Sequence, residues 1–271
     1  MDHPLKAKET LLRDILGGYD SLAVAFSGGV DSSLLVGLAH EVLGEKVVAL
    51  TACMAGLPTR ELNEAQAFCG ERGIRHILVD FDEFAVAGFA ENPPNRCYLC
   101  KRELLSFLLA SAGEQGISTL AEGSNLDDED DYRPGKIAVE ELGVASPLQR
   151  AGFTKVDIRV LSKERGLPTW DKPACACLAT RLPYGTQLSK KLLERIDKAE
   201  QCIFDAGAKQ VRVRVHDDLA RIEVDEESIP LFLERSIREH IDSALQELGF
   251  VNVTLDLQGY RMSGKRLEQF H

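Results

Sequence analysis

A glycine-rich turn between an apolar segment and a leucine-rich segment constrains the fold of this chain more than any other feature. Residues 22–26 read Leu-Ala-Val-Ala-Phe, which predicts a short buried strand, and the heptapeptide Ser27-Gly-Gly-Val-Asp-Ser-Ser33 follows it directly. Leucines at positions 34, 35, 38 and 43 then recur at the spacing of a helix that packs on a sheet. The glycines permit a tight turn, so the sequence predicts a strand, a turn and a helix in immediate succession.

Strands and helices continue to alternate after this unit. The predicted strands lie at 46–53, 75–82 and 118–122, and the predicted helices at 59–72, 96–110 and 154–165. Strands that alternate with helices of about 10–15 residues indicate βαβ units. We therefore predict an α/β fold with a doubly wound parallel sheet, whose ligands lie beyond the carboxyl ends of the strands.

The pattern changes after Pro183-Tyr-Gly185, where a second domain is predicted. The elements that follow are a helix at 189–206, strands at 210–216 and 219–224, a helix at 229–248 and a strand at 250–257. This αββαβ order indicates a small α+β domain. We place the two domains at 1–180 and 181–271, and we assign substrate binding and oligomerisation to the second.

The charge of the chain argues against a large nucleic-acid footprint. Asp and Glu number 43 against 32 Lys and Arg, which gives a net charge of −11, and the acidic excess lies within residues 1–149. A protein that wraps RNA or DNA must neutralise many phosphates with basic side chains. The first residues lack the apolar run of a signal peptide, and no stretch approaches the roughly 18 apolar residues of a membrane helix. We expect a cytoplasmic protein that binds a small molecule, without nucleic acid or membrane.

The glycine-rich turn has the features of a phosphate-binding loop. Backbone N–H groups at a helix N-terminus favour an anion, glycines admit close approach, and serine hydroxyls add donors. No Lys follows the second glycine, so the loop differs from the common nucleotide-triphosphate loop, and it lacks the GxGxxG pattern as well. The alternative is a merely structural turn. The candidate residues are Ser27, Gly28, Gly29, Asp31, Ser32 and Ser33.

A second polar segment, Glu122-Gly-Ser-Asn-Leu-Asp-Asp128, follows the predicted strand at 118–122. Its carboxylates, Asp127 and Asp128, and that of Asp31 are the type of ligand that Mg²⁺ shares with phosphate oxygens and water. For Asn125 and Asp128 we favour a role in ligand binding. For the acidic residues at 129–131 a solvated loop is an equal alternative.

Seven cysteines without an export signal argue for thiols that are buried, catalytic or metal-bound, and against disulfides. Cys97 and Cys100 are three residues apart at the start of a predicted helix, and Cys175 and Cys177 lie in a loop between prolines. Two thiols on a turn and one or two on a loop suit a three-cysteine iron–sulfur site or a four-thiolate zinc site. A local redox dithiol or unconnected thiols remain alternatives. The other three, Cys53, Cys69 and Cys202, are interpreted as small buried apolar residues.

Two arginines in the second domain are candidates for binding a phosphate monoester. Arg212 and Arg214 alternate with valines, so both face the same side of a strand, and guanidinium groups bind phosphate in a bidentate manner. Glu200 and Glu223 are candidates to orient them. A solvated strand face is the alternative.

Several motifs in order resemble a known family. The Ser27–Ser33 loop is similar to the SGGxDS signature of PP-loop ATP pyrophosphatases, which are adenine nucleotide alpha hydrolase-like proteins, and the segment at 122–128 is similar to their GTNxDD element. Together with segments 96–101, 128–135, 172–181, 183–185 and 256–261, they make the chain resemble the LarE family from about residue 5 to 265. Thr180 stands where many relatives carry Ser.

The resemblance implies an ATP-dependent sulfur transferase of nickel-pincer nucleotide synthesis, which serves lactate racemase maturation. It implies that a carboxylate of pyridinium-3,5-biscarboxylic acid mononucleotide is adenylated with ATP and Mg²⁺, and that sulfur then displaces AMP. It places ATP at the Ser27–Ser33 loop with Asn125 and Asp128, and Mg²⁺ at Asp31. The substrate phosphate is assigned to Arg181, Glu200, Arg212, Arg214 and Glu223.

The resemblance leaves the sulfur source open, because some members sacrifice a loop cysteine and others hold a [4Fe-4S] cluster on three cysteines. Since Cys97, Cys100 and Cys177 are all present, we predict the cluster type, with Cys175 as an alternative loop thiol. We also expect a homo-oligomer. The competing hypotheses are a tRNA thiolase, an amidating PP-loop synthetase and a nucleotide-binding module without enzyme activity.

Overall fold

The computed structural model describes residues 3–128 and 134–261, and it divides into two compact units. Unit 1 comprises Met1–Phe89 and Pro93–Cys175, and unit 2 comprises Ala90–Asn92 and Ala176–His271. Among the described residues no helix is long and apolar enough to cross a bilayer.

Unit 1 contains four strands and seven helices within its described residues. The strands are β1 (Leu22–Ala25), β2 (Val47–Cys53), β3 (His76–Asp80) and β4 (Leu120–Ala121). The helices are α1 (His3–Gly17), α2 (Val30–Leu43), α3 (Thr59–Arg72), α4 (Arg96–Glu114), α5 (Pro134–Glu141), α6 (Pro147–Arg150) and α7 (Lys155–Glu164).

The four strands of unit 1 form a parallel sheet in the order β3-β2-β1-β4. Strand β1 is central, and Ala23 pairs with Val48 on one side and Leu120 on the other. The chain first builds outward through β2 and β3 and then returns to the other side of β1, so the order reverses between β1 and β4. Ligands of doubly wound sheets bind at such a switch point, which here lies beyond Ala25 and Ala121. The predicted fold class is confirmed.

Apolar side chains cover both faces of this sheet, because successive residues of a strand point to opposite faces. Leu22 and Val24 of β1 pack into a cluster with Leu12, Leu38 and Leu161 from α1, α2 and α7. Ala23 faces a second cluster, with Leu105 and Leu108 of α4 and Ala138 of α5. A sheet buried on both faces needs nearly continuous apolar strands, which is the pattern that residues 22–26 show.

Within its described residues, unit 2 contains a three-stranded sheet and two α-helices. The elements are α8 (Lys190–Asp205), β5 (Val211–His216), β6 (Leu219–Val224), α9 (Arg235–Glu247) and β7 (Asn252–Leu255). Strands β5 and β6 are antiparallel, and β7 adds to β6 in parallel. The helix that the sequence predicts at 229–248 begins only at Arg235, because Glu234 is extended (φ −73°, ψ 120°) and separates it from a preceding 3₁₀ segment, Glu226–Leu233.

Candidate functional site

The turn after β1 is held open as a cradle by its glycines. Gly28 has φ +71°, and a Cβ atom there would lie 3.2 Å from the Cβ of Ala65, so a larger residue meets both backbone strain and a neighbour. Gly29 is the N-cap of α2 and has no side chain with which to cap the helix. The first N–H groups of α2 are therefore left for a ligand, as at other anion-binding helix ends.

Two serine hydroxyls meet inside this turn. The Oγ atoms of Ser27 and Ser32 are 3.1 Å apart, and Ser32 Oγ also donates to the Gly29 carbonyl at 3.2 Å. Ser33 is predicted to be a further hydroxyl donor; its side chain is fully buried and its Oγ has no hydrogen-bond partner among the described residues, so this role stays a prediction. We use the term cradle for Ser27, Gly28, Gly29 and Ser32.

The segment after β4 packs directly onto the cradle. A Cβ atom at Gly123 would lie 3.0 Å from the Ser32 backbone nitrogen, so the close approach requires glycine. Asn125 is 1% exposed, and its Nδ2 donates to Asp31 Oδ1 at 3.1 Å. Its backbone N–H donates to Asp128 Oδ2 at 3.0 Å. The fold thus brings Asp31, Asn125 and Asp128 together from positions far apart in the sequence.

Lys155 completes this group, and sequence reasoning missed it. Its Nζ forms an ion pair with Asp31 Oδ2, and its backbone N–H donates to Asp127 Oδ2 at 2.8 Å. Lys155 is the first residue of α7, where Thr154 and Asp157 form a capping box. That Thr-x-x-Asp pattern was the available signal, because it marks a helix start, but it does not reveal which carboxylate the lysine meets.

Asp31 fits the role of a carboxylate ligand for Mg²⁺. It lies in the first turn of α2 beside the cradle, and its side chain is 22% exposed. Mg²⁺ binds ATP enzymes through one or two carboxylates, with phosphate oxygens and water in the other positions. Within residues 3–128 and 134–261, no three His, Cys, Asp or Glu side chains are arranged to hold a metal ion. Residues 129–133 lie outside the described residues. They include the acidic residues at 129–131 and most of the 128–135 motif.

The four candidate cysteines fall in different units. Cys97 and Cys100 lie among the first five residues of α4, where Arg96 Nη2 donates to Cys97 Sγ at 3.6 Å. Cys97 is exposed and Cys100 is half-buried. Cys175, which is exposed, belongs to unit 1, and half-buried Cys177 belongs to unit 2 as the N-cap of the short helix Leu178–Arg181.

The remaining cysteines are poor nucleophiles. Burial raises the pKa of Cys69 to about 12, and burial followed by a nearby aspartate raises the pKa of Cys53 and of Cys202. Of these three, only Cys69 is fully buried, and the other two are half-buried, in contrast to the sequence prediction. A thiol stays protonated below its pKa, so these groups carry little thiolate at neutral pH.

The differences in exposure and pKa among the cysteines predict the order in which their thiols react. At neutral pH, iodoacetamide should modify exposed Cys97 and Cys175 first and leave Cys69 unmodified, as peptide mass spectrometry would show. Denatured protein, in which all seven cysteines react, is the control. Modification of Cys69 in the folded protein at the rate of Cys97 would contradict its burial and raised pKa.

In unit 2, Arg181 and Glu200 form a buried bidentate ion pair. Arg181 Nε and Nη2 lie 2.7 and 2.9 Å from the two carboxylate oxygens of Glu200. Arg181 Nη1 donates to the carbonyls of Ala176, at 2.7 Å, and Cys177, at 3.2 Å. Glu200 also accepts from the Val213 N–H at 2.9 Å. Arg181 therefore holds the cysteine loop in place and is fully buried.

The strand arginines sit beside this pair. Arg214 Nη1 donates to the Thr180 carbonyl at 2.7 Å, and its Nε lies 3.1 Å from Glu223, which also pairs with Arg221 at 3.1 Å. Arg212 is 5% exposed, and its guanidinium lies 5.3 Å from the ring centroid of Tyr260. Burial of Arg212 argues against a solvated strand face. Arg221, which sequence reasoning missed, lies directly opposite Arg214 in the sheet.

Comparisons with known proteins show which proteins this chain is similar to. The asparagine synthase family model matches residues 19–92. An uncharacterized protein of Synechocystis is 42% identical over 96% of this chain and 97% of its own length. A pyridinium-3,5-bisthiocarboxylic acid mononucleotide synthase of Lactiplantibacillus plantarum is 36% identical over 95% of this chain and 93% of its own length. A tRNA-specific 2-thiouridylase of Xanthobacter autotrophicus is 32% identical over 56% of this chain and 49% of that protein.

Proposed function

The chain belongs to the LarE family of ATP-dependent sulfur transferases, and we propose that it converts a carboxylate of pyridinium-3,5-biscarboxylic acid mononucleotide to a thiocarboxylate. The observation that carries this proposal is the combination of a phosphate cradle at Ser27–Ser32 with a buried arginine cluster behind a cysteine loop. The first suits ATP, and the second suits a phosphorylated substrate.

The proposed reaction has two displacement steps. A carboxylate oxygen of the substrate attacks the α-phosphorus of ATP, and pyrophosphate leaves. Sulfur at the oxidation level of sulfide, either sulfide itself or a cysteine thiolate, then attacks the carbonyl carbon of the acyl adenylate, and AMP leaves with the C–O electron pair. The protein contributes mainly positioning and charge neutralisation, as is usual in transfers at phosphorus.

The cradle residues have distinct parts in the first step. The N–H groups at the start of α2 and the Ser27 and Ser32 hydroxyls bind phosphate oxygens. Asp31 would hold Mg²⁺, which neutralises phosphate charge when it is bound. Lys155 offers an ammonium group beside the same carboxylate, where it keeps Asp31 in place and adds positive charge near the phosphates.

For the substrate we assign the phosphate to Arg214 and Arg212, with Glu223 as the group that orients Arg214. Arg181 and Glu200 have a structural part in this site. Arg181 donates to the Ala176 and Cys177 carbonyls and thereby fixes the cysteine loop. Arg221 provides a further cation through its contact with Glu223.

For the sulfur source we propose a sulfide that would be held by a [4Fe-4S] cluster on Cys97, Cys100 and Cys177. Thiolates are the ligands of such clusters, and the first two already stand three residues apart on one helical turn. The donor chemistry fits, although the described residues present no preformed three-ligand group. The alternative is a sacrificed cysteine, Cys177 or Cys175, whose Sγ leaves with the product and whose residue becomes dehydroalanine.

Anaerobic reconstitution with iron and sulfide tests the cluster. We expect a broad visible charge-transfer band that disappears in Cys97→Ala and in Cys177→Ala, because each removes one thiolate. Cys202→Ala, which changes a thiol elsewhere in unit 2, should retain the band. No band in the wild type, or a band unchanged in Cys97→Ala, would rule out this cluster. An intact mass reduced by one H₂S after turnover would instead show a sacrificed cysteine.

The second candidate function is thiolation of tRNA, which the partial similarity to a 2-thiouridylase favours. The net charge of −11 argues against it, because tRNA binding requires many basic contacts. Tight, salt-dependent binding of tRNA would support this alternative.

Full activity of Cys177→Ser would instead favour an amidating synthetase. A role in lactate racemase maturation, a cytoplasmic location and a homo-oligomeric state stay predictions.

A further inference from the structure

One lysine in unit 1, Lys172, contacts the backbone of the phosphate cradle. Its Nζ donates to the Gly28 carbonyl oxygen at 3.1 Å and pairs with Glu61 at 2.8 Å and Glu64 at 2.6 Å. The side chain of Lys172 is 11% exposed and that of Glu61 is 2% exposed. An ammonium group so enclosed is fixed in direction by its acceptors.

The backbone around Lys172 is fixed as well. Arg159 of α7 donates to the carbonyls of Trp170, at 2.8 Å, and of Lys172 itself, at 2.9 Å. Lys163 lies over the Trp170 ring at 4.2 Å from its centroid. The loop at 170–172 is therefore anchored to α7, which makes Lys172 a rigid support for Gly28.

The Gly28 carbonyl matters because it belongs to the peptide that joins two glycines. Glycine adopts positive and negative φ with similar ease, so a peptide between two glycines can rotate more freely than any other. In a trans peptide the C=O and N–H point in opposite directions. While Lys172 holds the Gly28 carbonyl on one side, the Gly29 N–H faces the other side, where its nitrogen donates to Ser27 Oγ of the cradle at 3.4 Å.

We propose that Lys172 is a positioning residue, which fixes the Gly28–Gly29 peptide so that the Gly29 N–H is turned into the cradle for a phosphate oxygen. This inference rests on ATP binding at the cradle, which is part of the proposed function. Because Lys172 lies three residues before Cys175, the same side chain also ties the start of the cysteine loop to the ATP site.

The simpler interpretation is that Lys172 only neutralises buried Glu61, and two matched variants separate these roles. Glu61→Gln removes the buried negative charge and keeps the lysine on Gly28. Glu61→Gln combined with Lys172→Met removes the ammonium group as well, without leaving Glu61 as an unpaired buried charge. Lys163→Met is the control, because it removes a cation of α7 that contacts the same loop through Trp170 but does not touch the cradle.

Calorimetric titration with ATP and with adenosine provides the test. From the single Glu61→Gln variant to the double variant, we expect the Kd for ATP to rise at least about tenfold. The Kd for adenosine, which has no phosphates, should stay unchanged. Equal ATP affinity in the two variants, or equal losses for ATP and adenosine, would overturn the role of Lys172. Absence of ATP binding by the wild type would instead reject the proposed function.

Discussion

Replacing Arg181 with methionine is expected to reduce the free energy of unfolding of the protein by about 3–5 kcal/mol. The reason is that Glu200 is 3% exposed and would be left as a buried charge without its cation. The Ala176 and Cys177 carbonyls would lose their hydrogen bonds from Arg181, and Cys177 would keep those from Thr180, so the loop that carries Cys177 would be less firmly held. Denaturant unfolding followed by circular dichroism measures the change.

Two controls make this result specific. Methionine at both Arg181 and Glu200 should recover most of the loss, because a buried pair is often replaceable by apolar residues of similar volume. Arg235→Met, which breaks an exposed pair with Glu239, should change the unfolding free energy by less than about 1 kcal/mol. A loss as small as this in Arg181→Met would show that the Arg181–Glu200 pair does not hold the cysteine loop.

The second large effect is expected at Gly28. In Gly28→Ala the residue at φ +71° would be strained by about 1–3 kcal/mol, and its Cβ would contact Ala65. Relief of this strain requires the turn to move, which displaces the Gly29 N–H and the Ser27 hydroxyl from the phosphates. We expect ATP affinity to fall more than about tenfold, as measured by titration calorimetry.

Gly37→Ala is the matched control for this substitution. Gly37 lies within α2, and a Cβ there would meet no atom within 4 Å. Alanine in a helix interior is favoured over glycine by about 0.5–1 kcal/mol, so this variant should be slightly more stable and bind ATP normally. Similar losses of ATP binding in both variants would contradict the special role of the Gly28 conformation.

The sequence predicts the sheet of unit 1 well, because the residues that form apolar runs in the sequence are the ones that the strands bury. The apolar run at 22–26 and the alternation with helices led to the parallel fold that the strand order confirms. Strand β4 was harder, since only Leu120 and Ala121 pair, and the extended backbone of Glu234 shortened a predicted helix. Both differences come from backbone hydrogen bonding, which side-chain periodicity does not reveal.

The site was predictable only where its residues are contiguous. The cradle is one heptapeptide, whereas Lys155 and Lys172 reach it from 124 and 144 residues away along the chain. Such contacts depend on which helix follows which strand, and a lysine at a helix start or in a loop carries no sign of its partner. Burial of Arg181 was likewise hidden, because an arginine beside a motif looks the same whether it binds a ligand or a neighbouring glutamate.

The most direct test of ATP-dependent sulfur transfer is a single reaction of the protein, first reconstituted anaerobically with iron and sulfide, with ATP, Mg²⁺ and pyridinium-3,5-biscarboxylic acid mononucleotide, analysed by mass spectrometry. We predict pyrophosphate and AMP in equal amounts, together with a product in which sulfur replaces one oxygen of the substrate. Consumption of ATP to ADP, or a substrate that stays unchanged while ATP is intact, would contradict this function.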